Sequence, residues 1–279
     1  MQSALHDCTL CPRKCKVDRY TAPKGECRTG LQAVVSSAAP HFGEEAPLVG
    51  QQGSGTIFFT HCNLHCNFCQ NFDISHEGIG ETVSDEQLAH LMLYLQQRGC
   101  HNINLVTPSH VVPQIISALE LAVEAGLCIP LVYNTSGYDE VKTLEKLEGI
   151  VDIYMPDLKF LDRHIASRTC RAGDYPAIAR KAILEMYRQV GHLQRDDRGI
   201  AFRGLLVRHL VMPGYTEDSK EVLSFIAEEV SPETYVNIMP QYRPAGELSN
   251  TTELDRPLEY DEYTRAVEYA KEIGLTNLL

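Results

Sequence analysis

The chain has 279 residues, 44% of them hydrophobic, and its 25 basic residues against 37 acidic residues give a net charge of −12. This composition fits one large domain, or one domain with an extension, that buries a sizeable core, and the acidic balance argues against a general nucleic-acid or anionic-membrane surface. The sequence shows neither a membrane span nor the apolar core of a signal peptide. Ten cysteines therefore favour a reducing, cytoplasmic compartment in which thiols bind metals rather than form disulfides.

The first 50 residues form a predicted cysteine-rich extension with no long periodic segment. Its four cysteines have the spacing C-x2-C-x3-C-x11-C and are Cys8, Cys11, Cys15 and Cys27. Four thiolates suit either a structural zinc ion or a fully ligated second [4Fe–4S] cluster, and the sequence leaves both open. A glycine-rich passage ends the extension, and its ionisable residues are interpreted either as part of a substrate pocket or as a solvated turn. They are His41, Glu44 and Glu45.

Residues 51–279 form the second predicted domain, in which strands and helices alternate. The predicted strands span residues 56–59, 103–107, 130–134, 151–155, 204–212 and 235–239. The predicted helices span about 84–98, 109–125, 138–147, 174–190, 217–229 and 260–273. Six βα units in a row predict parallel strands with right-handed crossovers, in either a doubly wound sheet or a partial barrel. Polar residues follow each strand, and because the carboxyl ends of parallel strands share one edge, the functional site is expected there.

A loop directly after the first of these strands carries Cys62, Cys66 and Cys69 in the spacing C-x3-C-x2-C. Three thiolates would hold three irons of a four-iron cluster and leave the last iron open, whereas clusters that only carry electrons normally take four cysteines. Zinc is the alternative interpretation, but it prefers paired C-x2-C halves and four ligands. The spacing therefore predicts a cluster with chemistry at its open iron.

Residues 55–72, GTIFFTHCNLHCNFCQNF, resemble the signature of radical S-adenosylmethionine (SAM) enzymes. That resemblance implies an α/β fold, a partial (β/α)6 TIM-like barrel with the cluster at its open mouth. It also implies a [4Fe–4S] cluster that reductively cleaves SAM and yields a 5′-deoxyadenosyl radical for hydrogen abstraction. Asp157-Leu158-Lys159 and residues 207–214 further resemble the branch related to pyruvate formate-lyase activating enzyme.

The resemblance assigns the cluster, and with it the catalysis, to the three cysteines of the loop. The expected contacts with SAM are Phe68, Gln70, Thr107, Pro108, Asn134, Ser136, Asp157, Lys159, Arg208 and Tyr242. Two segments depart from the family pattern. Residues 107–110 replace a Gly-Gly-Glu that holds the SAM amine, and Tyr242 stands where the activating enzyme has a histidine. His209 alternates to the face opposite Arg208, so a structural role is expected for it.

The resulting hypothesis is a radical SAM oxidoreductase that, by its family proximity, activates a glycyl-radical enzyme. One alternative is radical modification of a small molecule or of another protein. A second alternative is an iron–sulfur electron-transfer or sensor protein without SAM chemistry, which the two departures motivate. The expected partners are a one-electron donor such as flavodoxin or ferredoxin and an unknown substrate, and neither nucleic acid nor a membrane is expected.

Overall fold

The computed structural model describes residues 2–21, 25–248 and 252–279. Its strands are β1 (Ala33–His41), β2 (Ser54–Phe59), β3 (Glu81–Val83), β4 (Ile103–Val106), β5 (Leu131–Thr135), β6 (Ile153–Pro156), β7 (Gln194–Arg195), β8 (Ala201–Leu210), β9 (Tyr235–Met239) and β10 (Asn277–Leu278). Its α-helices are α1 (Ala46–Val49), α2 (Asp85–Gln97), α3 (Val112–Glu124), α4 (Val141–Leu144), α5 (Arg163–Cys170), α6 (Tyr175–Val190), α7 (Thr216–Phe225) and α8 (Tyr260–Glu272). Within the described ranges, none of the helices combines the length and the apolar character needed to cross a bilayer.

Six parallel strands form the middle of the sheet, in the spatial order β9-β8-β6-β5-β4-β2. Every neighbouring pair in this run is parallel, and at least one helix separates consecutive members of the run along the chain. The predicted βα units are therefore confirmed, and they form the partial, TIM-like barrel. The strand β1 was not predicted. It pairs antiparallel with β2 and so joins part of the predicted extension to the sheet.

Side chains alternate between the helix layer and the barrel interior along each central strand. On β5, Leu131 and Tyr133 pack into the main core beneath the helices, whereas Val132 belongs to a small interior cluster. Leu48 of α1 joins that cluster, so the short helix after β1 fills the barrel from inside. The next inward position after Val132 is Asn134, which faces an open cavity at the carboxyl end of the strands. Apolar packing thus closes the barrel below the level at which polar side chains begin.

Local sequence signals explain where several helices begin. A capping box starts α2, in which the side chains of Ser84 and Gln87 are each bonded to the other residue's backbone amide. The helix predicted from residue 109 instead begins at Val112, because Pro113 occupies its first turn and the Ser109 hydroxyl pairs with Thr135 rather than with the helix. The helix predicted over 138–147 is confined to α4 and one following 3-10 turn.

The helix α5 was missed, although its start carries a recognisable signal. The carboxylate of Asp162 accepts hydrogen bonds from the backbone amides of His164 and Ile165, which is the usual device at a helix N-terminus. The helix ends at Cys170, which it brings beside the three-cysteine loop.

Candidate active site

The loop after β2 presents its three cysteines through a tight backbone path. His61, which precedes Cys62, has a positive φ of 60°, a conformation that non-glycine residues rarely adopt. Gly78 closes the loop on the other side, and a Cβ there would overlap the His61 ring. The backbone amide of Leu64 donates to Cys62 Sγ at 3.3 Å, and the Ser75 hydroxyl donates to Cys69 Sγ at 3.1 Å. Two of the three sulfurs are thus already supplied with donors, which suit thiolates bound to iron.

Burial leaves the three thiols as weak acids in the absence of a metal. It raises the pKa of Cys62 to about 12 and raises that of Cys69. Cys66 donates to the sulfur of Cys170 at 3.5 Å, and this bond together with burial raises the pKa of Cys66 well above its usual range. Metal ions bind the thiolate, so the binding of iron here would release the protons of these thiols. The sequence gives no signal for this contact, because nothing in the spacing of Cys170 shows that α5 ends against the loop.

An ionic group faces the cysteines across the barrel mouth. Lys159 Nζ donates to Asp157 Oδ2 at 2.7 Å, Arg208 Nε donates to Asp157 Oδ1 at 2.8 Å, and a second Arg208 nitrogen donates to Asn134 Oδ1 at 2.8 Å. Burial alone would raise the pKa of Asp157, but the two neighbouring cations hold it below its usual range. The carboxylate therefore remains charged, and Arg208 of β8 links it at the end of β6 to Asn134 of β5.

A pair of glutamates extends this group into the barrel. Arg208 lies 3.5 Å from Glu44 Oε2 and 3.8 Å from Glu45 Oε1, and Asn237 of β9 donates to Glu45 Oε1 at 2.9 Å. Burial, partly offset by Arg208, raises the pKa of Glu44. Sequence reasoning left this segment open between a pocket and a solvated turn. The structure shows two buried carboxylates beside Arg208, so the solvated turn is wrong for Glu44 and Glu45, whereas the side chain of His41 is 45% exposed.

Two further residues of the site directly follow β4 and β5. Thr107 follows β4 and offers its backbone, and Ser136 follows β5 and offers its hydroxyl. Thr107 has a φ of 61°, and for a β-branched residue this is a strained conformation of the kind that clusters at functional sites. The Oγ of Ser136 is buried and has no hydrogen-bond partner among the described residues. Both residues line the cavity. A buried hydroxyl without a partner fits a polar ligand such as a ribose or a carboxylate.

These parts enclose one cavity of about 260 Å³ at the carboxyl ends of the parallel strands. Of the residues expected to hold the cluster or SAM, those that line it are Cys62, Cys66, Phe68, Cys69, Gln70, Thr107, Asn134, Ser136, Asp157, Lys159 and Arg208. All six strand ends contribute at least one lining residue, as the sequence predicted for the functional edge.

Two expected SAM contacts lie elsewhere. Pro108 is buried next to Thr107 but is not among the residues lining the cavity. Tyr242 is buried, and its hydroxyl donates to the backbone oxygen of Leu254 at 2.6 Å, so its polar atom is committed to the chain's own backbone. Its neighbour Gln241 lines the cavity instead. His209 is buried and bonded to Leu158 and Ser219, in agreement with the structural role expected for it.

The residues of this cavity fit a [4Fe–4S] cluster with SAM at its open iron. Three thiols on one loop, with donors aimed at Cys62 and Cys69, match the ligand set of such a cluster. The carboxylates of the ionic group suit the sulfonium cation of SAM, and Ser136 offers an unpartnered hydroxyl. Among the described residues no three His, Cys, Asp or Glu side chains are placed to hold a single metal ion. A cubane spreads its ligands over separate irons, so it does not require such convergence.

Comparison with known proteins identifies the family. Residues 56–226 match the radical SAM superfamily. The chain belongs to the radical SAM superfamily. It is accordingly a radical SAM enzyme, which uses a [4Fe–4S] cluster and SAM to generate a 5′-deoxyadenosyl radical. The same radical SAM chain is 30% identical over 282 residues to the uncharacterised protein MJ0674 of Methanocaldococcus jannaschii, a match that covers 98% of this chain and 77% of that protein.

Solved structures share the fold of this radical SAM enzyme. Native anSMEcpe with bound AdoMet and Kp18Cys peptide superposes with a TM-score of 0.53 at 12% identity, covering 76% of this chain and 57% of that one. Streptococcus suis SuiB bound to S-adenosylmethionine gives a TM-score of 0.51 at 14% identity, covering 76% of this chain and 45% of that one. The chain thus spans about half the length of these solved relatives, and the likeness shows the partial barrel as the shared element.

Proposed function

We propose that this chain binds SAM between the three-cysteine loop and the Asp157–Lys159–Arg208 group and uses it to abstract a hydrogen atom from an external substrate. The observation that carries the proposal is the single cavity into which all six strand ends place a lining residue. When bound, the cluster supplies the electron that splits the SAM sulfonium into methionine and a 5′-deoxyadenosyl radical. The protein's own residues orient SAM and keep water and competing reactions away.

The charged side chains have distinct roles in this proposal. Asp157 is held in place by Lys159 and Arg208, so its carboxylate is preorganised to face the sulfonium and ribose of SAM without rearrangement. Lys159 remains protonated: burial would lower its pKa, but Asp157 and Cys66 raise it above its usual range. Its charge is available for the methionyl carboxylate. Thr107 offers backbone in place of the missing Gly-Gly-Glu, because the carbonyl of a strained strand end can accept from an ammonium group.

The substrate class that we propose first is a glycyl-radical enzyme, activated by hydrogen abstraction from a glycine. Its support is the Asp-Leu-Lys segment, which resembles the pyruvate formate-lyase activating enzyme and whose charged members both line the cavity. Two similar structures hold peptides, the Kp18Cys peptide with anSMEcpe and the precursor peptide SuiA with SuiB, and these favour a polypeptide over a small molecule. Modification of another protein is therefore the second candidate.

The test is reductive cleavage of SAM by the anaerobically reconstituted protein. Dithionite and SAM are added, and 5′-deoxyadenosine is quantified by chromatography. We expect product from the wild type and none from Cys66→Ala, which lacks a cluster ligand. Cys128→Ala is the matched control, because Cys128 is exposed and remote from the loop. A wild type that carries its cluster, binds no SAM and forms no product would contradict the proposal and support an electron-transfer or sensor protein.

The substrate class has its own readout. The enzyme is reduced with SAM and mixed with candidate glycyl-radical proteins, and electron paramagnetic resonance (EPR) then detects the radical. A glycyl radical on the partner supports the first substrate class. SAM cleavage that is stimulated instead by a different protein or by a small molecule contradicts it and leaves the SAM chemistry intact.

A further inference from the structure

A serine–histidine pair, Ser75 and His76, follows the three-cysteine loop and reaches one of its sulfurs. The pair lies on a single turn of π-helix, Asp73–Glu77, a geometry that occurs frequently at functional sites. The Ser75 hydroxyl donates to Cys69 Sγ at 3.1 Å, and its oxygen lies 2.8 Å from Nδ1 of His76. Both side chains are half-buried. The pair therefore forms a short line of hydrogen bonds that ends on a cluster ligand.

A count of hydrogens assigns the position of the ring proton in this line. A serine hydroxyl has one hydrogen to donate and can also accept through its oxygen, whereas a thiolate bound to iron can only accept. The single hydrogen of Ser75 is therefore directed at Cys69, and the bond to His76 requires a hydrogen on Nδ1. His76 Nδ1–H thus donates to the Ser75 oxygen, and the Ser75 hydroxyl in turn donates to Cys69 Sγ. Two bonds in series polarise each other, so each strengthens the other.

The histidine ring is held in place by its neighbours. It stacks on Phe72 with the ring centroids 4.2 Å apart and an angle of 8° between the planes. The ring of His65, which lies within the three-cysteine loop, meets it edge-on at 5.9 Å. Arg28 donates to the backbone oxygen of His76 at 3.3 Å. These contacts keep Nδ1 directed at Ser75 without involving Nδ1 itself.

We propose that Ser75 and His76 raise the reduction potential of the cluster at the three-cysteine loop: Ser75 donates to Cys69 Sγ, and His76 positions the Ser75 hydroxyl. Hydrogen bonds to the ligand sulfurs are among the factors that set the potential of an iron–sulfur cluster. Such a bond stabilises negative charge on the sulfur, and the reduced cluster carries one electron more than the oxidised cluster. The hydroxyl keeps its hydrogen, so no proton accompanies the electron. The inference rests on the proposed function, because that reaction begins with reduction of this cluster.

Other bonds hold the backbone of the loop, so the pair can be changed without removing that support. The backbone amide of His61 donates to the backbone oxygen of Ile74 at 2.9 Å, and Arg13 donates to the backbone oxygen of Asn63 at 2.8 Å. A change in potential on substitution of the pair therefore reports its own hydrogen bonds. Arg13 belongs to the predicted metal-binding extension, whose four cysteines are buried or half-buried and remain a predicted zinc or cluster site: Cys8, Cys11, Cys15 and Cys27.

Reductive titration of the cluster, followed by EPR without SAM, tests the role of the pair. Wild type, Ser75→Ala, His76→Phe and His76→Asn are reconstituted anaerobically and matched for iron content. His76→Phe keeps a ring to stack on Phe72 but has no Nδ1–H, and His76→Asn offers an amide NH₂ close to the Nδ1 position. Ser224→Ala is the matched control, because it removes a hydroxyl that is bonded to Tyr269 at 2.8 Å outside the cavity.

The expected potentials separate the two roles. Ser75→Ala should lower the equilibrium constant for reduction about tenfold, which is about 59 mV for one electron. His76→Phe should shift the potential in the same direction by less, because Ser75 still donates but is no longer polarised, whereas His76→Asn and Ser224→Ala should match wild type. A Ser75→Ala potential equal to that of wild type overturns the proposal, and an unchanged His76→Phe potential overturns the role of His76. Should Ser75→Ala not retain its iron, the His76→Phe result decides alone.

A second readout locates the hydrogen itself. Wild type is exchanged into D₂O, reduced and frozen, and pulsed EPR measures the coupling of deuterons to the cluster. We expect one coupling that is present in wild type and in Ser224→Ala and absent in Ser75→Ala, because the Ser75 deuteron is bonded to a ligand sulfur. Identical couplings in wild type and Ser75→Ala overturn the proposal. The proposed function fails separately, by the absence of 5′-deoxyadenosine from wild type that has its iron, whatever its potential.

Discussion

Asp157→Asn tests the charged wall of the cavity. The Asp157 carboxylate receives hydrogen bonds from Lys159 at 2.7 Å and from Arg208 at 2.8 Å, and SAM carries a permanent sulfonium charge. At a separation of about 7 Å and an effective dielectric constant of about 20, one carboxylate attracts that cation by roughly 2 kcal/mol, which is about 30-fold in Kd. The uncompensated charge on Lys159 acts in the same direction. We therefore expect SAM to bind about 30-fold more weakly, while the iron content stays that of wild type because every cysteine is intact.

Anaerobic titration calorimetry of the reconstituted proteins measures this change. Glu262→Gln is the matched control, because it neutralises a carboxylate paired with Arg256 at 2.8 Å outside the cavity, and its Kd for SAM should equal that of wild type. Urea unfolding verifies that Asp157→Asn is folded, with an expected loss of about 1–3 kcal/mol from the weakened buried pairs. A folded Asp157→Asn variant that binds SAM as tightly as wild type would refute the reasoning.

Three further predictions concern the three-cysteine loop, one ion pair outside the cavity and the packing of one glycine in β8. Cys170→Ala should retain the cluster iron that Cys66→Ala loses, because Cys170 contacts Cys66 but is not one of the three cysteines of the motif. Iron analysis of both variants measures this difference, and equal losses of iron would contradict the ligand assignment. Glu262 has a pKa lowered to about 2, chiefly by Arg256, so its stabilisation should be present above about pH 4.5 and fade as the pH falls towards 2. Because Arg256 is 39% exposed, solvent screens this ion pair, and we expect urea unfolding of Glu262→Gln at pH 7 to show a loss of about 1 kcal/mol or less. A loss that persists at pH 2 would contradict this origin. Gly204→Ala should lower the free energy of unfolding by about 3 kcal/mol or more, because φ is 120° and the new Cβ would overlap the backbone at His192. Gly199→Ala should lower it by only about 1 kcal/mol, because φ is 80° and no described heavy atom lies within 4 Å of the new Cβ. Equal thermal shifts for the two variants would contradict the packing argument.

The barrel could be predicted from the alternation of strand-like and helix-like segments. Its central strands are buried on both faces, and such strands appear in a sequence as short apolar runs. Runs such as residues 204–207 are apolar throughout and lie between recognisable helices, so six βα units could be counted along the chain. The strand β1 was not predicted, because its sequence, AVVSSAAPH, shows no clear alternation of apolar and polar residues and its burial pattern is irregular. Its pairing with β2 is a tertiary contact that no local signal specifies.

The candidate site was predictable where it follows strand ends and unpredictable where it depends on crossing contacts. Asp157, Lys159 and Arg208 follow or end parallel strands, and topology alone brings them together. Glu44 and Glu45 precede β2 on the chain, so their approach to Arg208 depends on how the segment after β1 enters the barrel. Cys170 reaches Cys66 only because α5 ends against the loop. Tyr242 was expected to contact SAM because it stands where the activating enzyme has a histidine, and a resemblance does not show that its hydroxyl bonds to the backbone of Leu254 instead.

The most direct test of the central claim is magnetic resonance of the reduced protein with labelled SAM. The wild type is reduced anaerobically, and SAM labelled with ¹⁷O in its carboxylate and ¹⁵N in its amine is added before freezing. If Cys62, Cys66 and Cys69 leave one iron open in this cavity, hyperfine coupling from both labels to the cluster will be seen, and it will be lost in Cys66→Ala. A reduced cluster in wild type whose spectrum shows no coupling to either label would contradict SAM binding at the open iron.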